Sequence, residues 1–313
     1  MRIVVLGTGP FAVPSLRGLH ASRHEVVGVV TRPPRGRRKP ALSPVQQAAQ
    51  ELGLEVWLPE TVNAPEVCSR LVAANLDLLV VCDYGEILKP TTLAVSRLGG
   101  INLHGSLLPK YRGAAPVQWA ILNGEQQTGN TIIQMTPGLD AGPCLGVQRV
   151  AIDADETAGE LEARLAELGA ELVRRVVDQL EAGAAVPTPQ DKSQATKAPR
   201  LTKDDGRIDW TRTAQQIKNQ VRALQPWPRA FSYWQRAAGE PQRLIIHRVA
   251  LDAATSAAES AAAGTVVRAD AKLLVATGDG LLRLEVLQPA GKRAMTAEEF
   301  LRGHPLQAGD RLA

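Results

Sequence analysis

The sequence predicts two folded parts: a doubly wound, Rossmann-like α/β domain over 1–185, and a smaller β-barrel domain of OB-like type over 205–313. Three observations predict it. Strand-like and helix-like segments alternate through the first half of the chain. The stretch 186–204 (VPTPQDKSQATKAPRLTKD) has no hydrophobic periodicity and is rich in Pro, Thr, Lys and Gln, as a linker is. Beyond it, short β-rich segments separated by tight turns take over. A chain of 313 residues also exceeds one ordinary core, and 44% hydrophobic residues are enough to build two.

Arg2–Leu6 is a short apolar strand, followed by Gly7-Thr8-Gly9-Pro10 and a helix near Ala12–His20. Glu25–Val30 is β-branched and reads as a second strand. Ser43 before Pro44 is a helix N-cap with proline in the first turn, opening a helix to about Leu52. A helix near Pro65–Ala74 precedes Asp77–Val81, whose continuous apolar run suits a strand buried on both faces. Gly99–Leu103 is a further strand. Thr131–Gln134 and Gly146–Ile152 suggest a strand pair outside the parallel core, and a long helix over Thr157–Leu180 ends before Gly183. After the linker, a helix over Thr213–Leu224 is halted by Pro226-Trp227-Pro228. Five strands follow, over Ala230–Trp234, Arg243–Val249, Gly264–Arg268, Lys272–Ala276 and Leu281–Leu287. There is no internal repeat.

Composition narrows the function classes. The 3 cysteines, Cys68, Cys82 and Cys144, are scattered, which suits reduced thiols and neither a disulfide frame nor a zinc site. No apolar run is long enough for a membrane span, and Met1 leads directly into a strand, so a cytoplasmic protein without a signal peptide is expected. The net charge of +4 is unevenly spread. Residues 1–185 carry 17 basic against 19 acidic groups, 186–204 carry 4 against 2, and 205–313 carry 15 against 11. A separate basic cluster comprises Arg32, Arg35, Arg37, Arg38 and Lys39. Such a surface suits a polyanion or an ordinary solvated face.

Two motifs compete for the chemistry. Gly7-Thr8-Gly9-Pro10-Phe11-Ala12 fits the dinucleotide fingerprint, and Arg32 at the end of the second strand suits the extra phosphate of NADP. It is equally a tight strand-to-helix turn. The second motif is Asn102-Leu103-His104-Gly105, in which strand periodicity puts an amide and an imidazole on one face. That pair suits charge developing on a carbonyl oxygen. Asp140, in the glycine-flanked Thr136–Gly142 loop, supplies a carboxylate able to fix a histidine tautomer and favour its cation. No elbow nucleophile or metal set accompanies them, so direct transfer between two bound substrates is expected.

Asn102, His104, the Ser106–Pro109 loop and Asp140 together resemble the site of the formyltetrahydrofolate-dependent formyltransferases. The flanks INLHGSLLPKYRGAAPVQWAILNGE (101–125), TGNTIIQMTPGLDAGP (128–143), RIDW (207–210), LQPWPRAF (224–231) and VATGDGLLRLEVLQPAGKRAMTAEEFLRG (275–303) are similar to the methionyl-tRNA formyltransferase branch, in collinear order. The resemblance implies a formyltransferase domain with a tRNA-binding barrel. It implies 10-formyltetrahydrofolate as co-substrate, initiator methionyl-tRNA as acceptor, no metal, no membrane and a monomer. It assigns catalysis to Asn102, His104 and Asp140, and folate binding to Ser106, Leu107, Leu108 and Pro109. Grip on the tRNA goes to Arg35, Arg37, Arg38 and Lys39. The chain departs from the branch in a shorter basic loop over 32–42 and in Asp83 within Val81-Cys82-Asp83-Tyr84-Gly85, which puts an extra carboxylate near the folate pocket. Thr136 and Ala141 also stand where the branch usually has an acid and a threonine. Trp119, Trp210, Trp227 and Trp234 are expected mostly in the core, and Cys82 as a packed thiol. A formyltransferase acting on a sugar amine or small amine, an NADP-linked oxidoreductase and a catalytically silent RNA-binding module remain the alternatives.

Overall fold

The computed structural model describes residues 1–34, 41–236, 239–253 and 261–313. By its internal contacts the chain forms two units. The first comprises Met1–Pro116, Gln127–Ala151 and Glu160–Pro199, and the second Val117–Gln126, Ile152–Gly159 and Arg200–Ala313.

The strands of the first unit are β1 (Arg2–Gly7), β2 (Glu25–Val30), β3 (Val56–Trp57), β4 (Leu78–Cys82), β5 (Gly100–His104), β6 (Arg112–Gly113), β7 (Gln127–Gln134), β8 (Cys144–Ala151) and β9 (Lys197–Ala198). Seven of them form a sheet in the order β3-β2-β1-β4-β5-β7-β8. The first five run parallel, and β7 and β8 are antiparallel, as their place outside the parallel core predicts. The chain moves outward from β1 to β3 and then returns to β4, so strand order reverses between β1 and β4. A doubly wound sheet opens a crevice at the carboxyl ends near that reversal. In β4 every residue is buried, whereas β8 from Gly146 onward alternates half-buried and exposed positions because one of its faces meets solvent.

Helices α1 (Val13–His20), α2 (Pro44–Glu51), α3 (Pro65–Ala73) and α4 (Pro90–Leu93) connect the parallel strands, and α5 (Pro116–Leu122) precedes β7. The Ser43 side chain accepts from Gln46 N and caps α2, as its place before Pro44 predicts. The 24-residue α6 (Ala158–Glu181) covers the antiparallel end of the sheet. A Cβ on Gly169 would lie 2.7 Å from Leu103, and one on Gly146 2.8 Å from Val176.

The stretch after α6 is irregular, as its composition predicts, yet part of it is paired within the first unit. Thr188 exchanges two backbone hydrogen bonds with Cys144, both 2.8 Å, and β9 lies parallel to β6. The contact boundary accordingly falls at 199/200, inside the span 186–204.

In the second unit α7 (Ala214–Ala223) opens on a capping box between Thr213 and Gln216. Five strands follow: β10 (Ala230–Gln235), β11 (Gln242–Asp252), β12 (Val266–Ala269), β13 (Leu273–Ala276) and β14 (Leu281–Pro289). The short β15 (Met295–Thr296), helix α8 (Ala297–Gly303) and β16 (Arg311–Leu312) complete it. The sheet order is β12-β13-β14-β11-β10-β16. A bridge between Thr265 and Arg311 brings its two ends together, so the expected barrel is nearly closed. Its core includes Ile217, Trp234, Leu244, Leu284 and Phe300. Trp210 and Trp234 are buried there with their indole N–H groups bonded to Ser232 and Asp310. Trp227 corrects the expectation of a core residue: it is 52% exposed. It sits in the turn between α7 and β10, where the flanking prolines restrict the backbone and no core face is available to the indole.

Candidate active site

The site grows from the carboxyl end of β5. Val81 of β4 stands opposite Asn102, and Thr131 of β7 opposite His104. Pairing with β7 carries β5 one residue beyond its sequence-predicted end, so His104 is its last residue. The following turn is held from within. Ser106 is fully buried and its hydroxyl donates to Lys110 O at 2.7 Å. Thr131 Oγ1 donates to Ser106 O at 2.7 Å and accepts from Leu108 N at 3.1 Å. Within the predicted folate loop, then, the Ser106 hydroxyl shapes the turn. Leu107, Leu108 and Pro109 are half-buried and offer an apolar surface.

His104 is almost fully buried, and its Nε2 lies 2.8 Å from Tyr111 O. A carbonyl can only accept, so Nε2 carries the proton and Nδ1 is the edge left for chemistry. Nδ1 faces Asp140 Oδ2 at 3.8 Å, within ion-pair range but beyond a hydrogen bond. Asn102 Nδ2 lies 3.5 Å from Asp140 Oδ1, and Gly113 N donates to Oδ2 at 2.9 Å. The three residues singled out in the sequence therefore meet at one carboxylate. Asp140 adopts a left-handed backbone with φ of 46°, which a short polar residue tolerates. Gly113 has φ of 128°, and a Cβ there would lie 2.5 Å from Ala198 O. Only glycine fits between β9 and the carboxylate.

The dinucleotide-like turn is built differently. Thr8 N donates to Asp83 O at 3.0 Å, tying β1 to β4 across the reversal point. The Asp83 carboxyl lies directly over Gly9, with Oδ2 1.9 Å from where a Cβ on that glycine would be. Burial raises this carboxyl to about 6, against an opposing hydrogen bond from the Gly9 backbone. Burial, and then the nearby Asp83, also raise Glu162 to about 7. A dinucleotide pyrophosphate would need the space over Gly9, where a carboxylate now stands. Pro10 removes one backbone N–H from the turn, and Arg32 Nη1 is engaged with Gly85 O at 2.9 Å. These observations displace the NADP reading.

Several contributors escaped the sequence motifs. The Tyr111 carbonyl, Gly113 and Thr131 were invisible because their roles depend on register and backbone direction. Gln190 lies in the linker-like stretch, yet its Nε2 donates to Asp140 O at 2.8 Å and to Gly142 O at 2.7 Å. The expected tRNA contacts Arg35, Arg37, Arg38 and Lys39 lie outside the described residues. Among the described residues, His24, Asp178 and Glu181 are close enough together to share a cation. Their ligand atoms already surround the Met1 ammonium and Arg23.

Comparison with known proteins identifies the family. Residues 1–177 match the family described as formyl transferase, and residues 200–305 match the formyl transferase C-terminal domain. A methionyl-tRNA formyltransferase of Rhodopirellula baltica is 44% identical, over 100% of this chain and 96% of that protein. One of Solibacter usitatus is 45% identical, over 100% and 98%. Among solved structures, WlaRD, a sugar 3N-formyl transferase, superposes with a TM-score of 0.69 at 17% identity, covering 94% of this chain and 99% of that one. HypX from Aquifex aeolicus, solved with tetrahydrofolic acid, gives 0.61 at 17% identity over 100% of this chain and 50% of that one. At such identity the two structures share the fold. With both halves of its length matched in order and relatives aligned end to end, the chain belongs to the formyl transferase family.

Proposed function

We propose that this protein moves the formyl group of 10-formyltetrahydrofolate onto the free amino group of methionyl-initiator tRNA, giving N-formylmethionyl-tRNA for translation initiation. The observation that carries the reading at the site is the convergence of Asn102 and His104 on Asp140, within 3.5 Å and 3.8 Å of its two carboxylate oxygens. The donor set fits the folate co-substrate. The half-buried Leu107, Leu108 and Pro109 offer apolar surface to a flat ring system. One N–H of the Asn102 amide has no protein partner among the described residues and can meet a formyl oxygen.

In the reaction the amine nitrogen bonds to the formyl carbon, the bond from that carbon to the folate nitrogen breaks, and one proton passes from the amine to that nitrogen. Asn102 donates to the formyl oxygen as negative charge builds on it. His104, anchored through Nε2, presents Nδ1 on the same side; as a cation it has a second N–H to offer there, with Asp140 as counter-charge. Asp140 relays the amine proton, directly or through water. Positioning two large substrates in attack geometry supplies much of the remaining rate. The protein acts in the cytoplasm as a monomer, and among its described residues no helix is long and apolar enough to cross a membrane.

The basic loop and the C-terminal barrel are assigned to the tRNA. Trp227 and Arg229 are both exposed in one turn of the second unit and supply an indole and a guanidinium, side chains suited to an unpaired base. KM for tRNA should rise about tenfold or more between 50 and 200 mM salt, as loss of several phosphate contacts requires. KM for folate should stay nearly constant, and equal sensitivity of the two would remove the electrostatic assignment. Trp227→Ala should raise KM for tRNA by about fivefold or more at unchanged kcat, the cost of one stacked base.

The deciding assay offers labelled formylfolate to initiator methionyl-tRNA, elongator methionyl-tRNA and amino sugars. Turnover confined to the initiator supports the proposal. Turnover on amino sugars transfers the assignment to a sugar-amine enzyme, and none at all returns it to an RNA-binding module.

A further inference from the structure

The residue that seats Asp140 lies 50 positions away in sequence, in the stretch that composition reads as linker. Gln190 donates from Nε2 to the carbonyls of Asp140 and Gly142, at 2.8 and 2.7 Å, bracketing the left-handed turn from its backbone side. Its own amide oxygen accepts from Arg112 Nη2 at 2.6 Å and Nε at 3.2 Å. Arg112 precedes Gly113, whose N–H holds the Asp140 carboxylate at 2.9 Å. The chain thus closes a ring, Arg112 to Gln190 to Asp140 to Gly113, in which the carboxylate and the carbonyl of one aspartate are fixed from opposite sides. Thr188, bonded to Cys144 in both directions, holds Gln190 at that height.

From this ring we infer that Gln190 is a positioning residue for the transfer reaction: it holds Asp140 in its left-handed backbone so that the carboxylate stays aimed at His104 Nδ1. The inference rests on the proposed formyl transfer. The physical reason is economical. An aspartate with φ of 46° adopts a backbone conformation that residues other than glycine take only occasionally, so contacts from its surroundings fix it there. The Asp140 carbonyl needs a donor of suitable length, and glutamine supplies two N–H groups for two carbonyls at once. Glutamate at this position would face both carbonyls with acceptors only. Alanine would leave them to water and release the turn.

The test is a double-substitution cycle on the full-length protein. Wild type must first formylate initiator methionyl-tRNA; if it does not, the reaction assignment fails and the positioning claim is judged by the crystal structure of Gln190→Ala, in which a displaced Asp140 supports it and an unmoved one overturns it. With wild type active, Gln190→Ala should lower kcat by about tenfold to 100-fold, the scale of a misplacement near 1 Å, with KM for both substrates within twofold. Gln190→Glu should lose more than alanine. In an Asp140→Asn background, Gln190→Ala should cost less than twofold, because the group it positions is already gone. An unchanged kcat in Gln190→Ala, a change carried by KM, or the same loss in both backgrounds would each overturn the inference. Arg112→Lys, which keeps the charge but not the fork of donors, provides a milder second variant should Gln190→Ala prove unstable, with the same expected split between kcat and KM.

Discussion

Asp83 and Asp140 are built alike and used differently. Both adopt a left-handed backbone, with φ of 47° and 46°, and both follow strands of the same sheet. The carboxyl of each accepts a backbone N–H from a glycine, Gly9 in one case and Gly113 in the other. The surroundings separate them. Asp83 lies over a fingerprint-like turn, with its carboxyl raised to about 6 by burial and with Glu162 as neighbour. Asp140 faces an imidazole at 3.8 Å and an amide at 3.5 Å. The better-known motif surrounds an aspartate that stands over its own glycine, and a glycine-flanked loop without a named fingerprint carries the one to which the proposed chemistry is assigned. A glycine pattern reports what the backbone can do; what stands over the glycine decides whether a ligand can enter.

The largest effect should come from the chemistry beside Asp140. Asn102→Ala should lower kcat by about 100-fold to 1000-fold at saturating substrates, the usual cost of losing one oxyanion donor. A kcat within threefold of wild type would remove Asn102 from its role and leave Asp140 no more distinctive than Asp83.

A smaller effect is expected from Gly113→Ala, since the added Cβ would press on Ala198 O at 2.5 Å and shift the N–H that holds the carboxylate. A loss of kcat of about tenfold or more is expected, together with a lowered Tm. A fall in Tm at unchanged kcat would show that the Asp140 carboxylate is aimed without Gly113.

The smallest effect belongs to Asp83. Its folded-state value of about 6 stands above the ordinary carboxylate value of about 3.9, so the folded protein holds this proton more tightly than the unfolded chain. Stability should therefore decline as pH rises from about 4 to about 6, and with Glu162 included, to about 7, then level off. Asp83→Asn should flatten part of that decline in a series of Tm measurements and leave kcat within threefold. A large loss of kcat would mean that Asp83 touches substrate and that the comparison has been drawn in the wrong place.

Much of this was legible in the chain. The strand Glu25–Val30 and the cap at Ser43 follow from β-branching and from a serine before proline, both local effects. Asn102 and His104 share a face because strand periodicity is two, whatever the partner strands do. The Trp227 expectation failed for a reason of the same kind in reverse: aromatic character alone does not say whether a core face is within reach of a turn. The stretch 186–204 looks like a linker because its own residues lack periodicity, and its pairing with β6 and the Asp140 loop depends on side chains from distant segments.

By itself the sequence determined the two-part architecture, the doubly wound order, and the amide, imidazole and carboxylate that carry the proposed chemistry. The architecture follows from backbone propensity and side-chain type, which act within a few residues, and the roles of Asn102, His104 and Asp140 come from the resemblance to a known family. Only the tertiary structure decided that His104 ends its strand with Nε2 on the Tyr111 carbonyl and that Asp83 occupies the space over Gly9. It also decided that Gln190 closes on Asp140. Each depends on groups far apart in the chain meeting within hydrogen-bond distance, and such a meeting is set by strand register and packing.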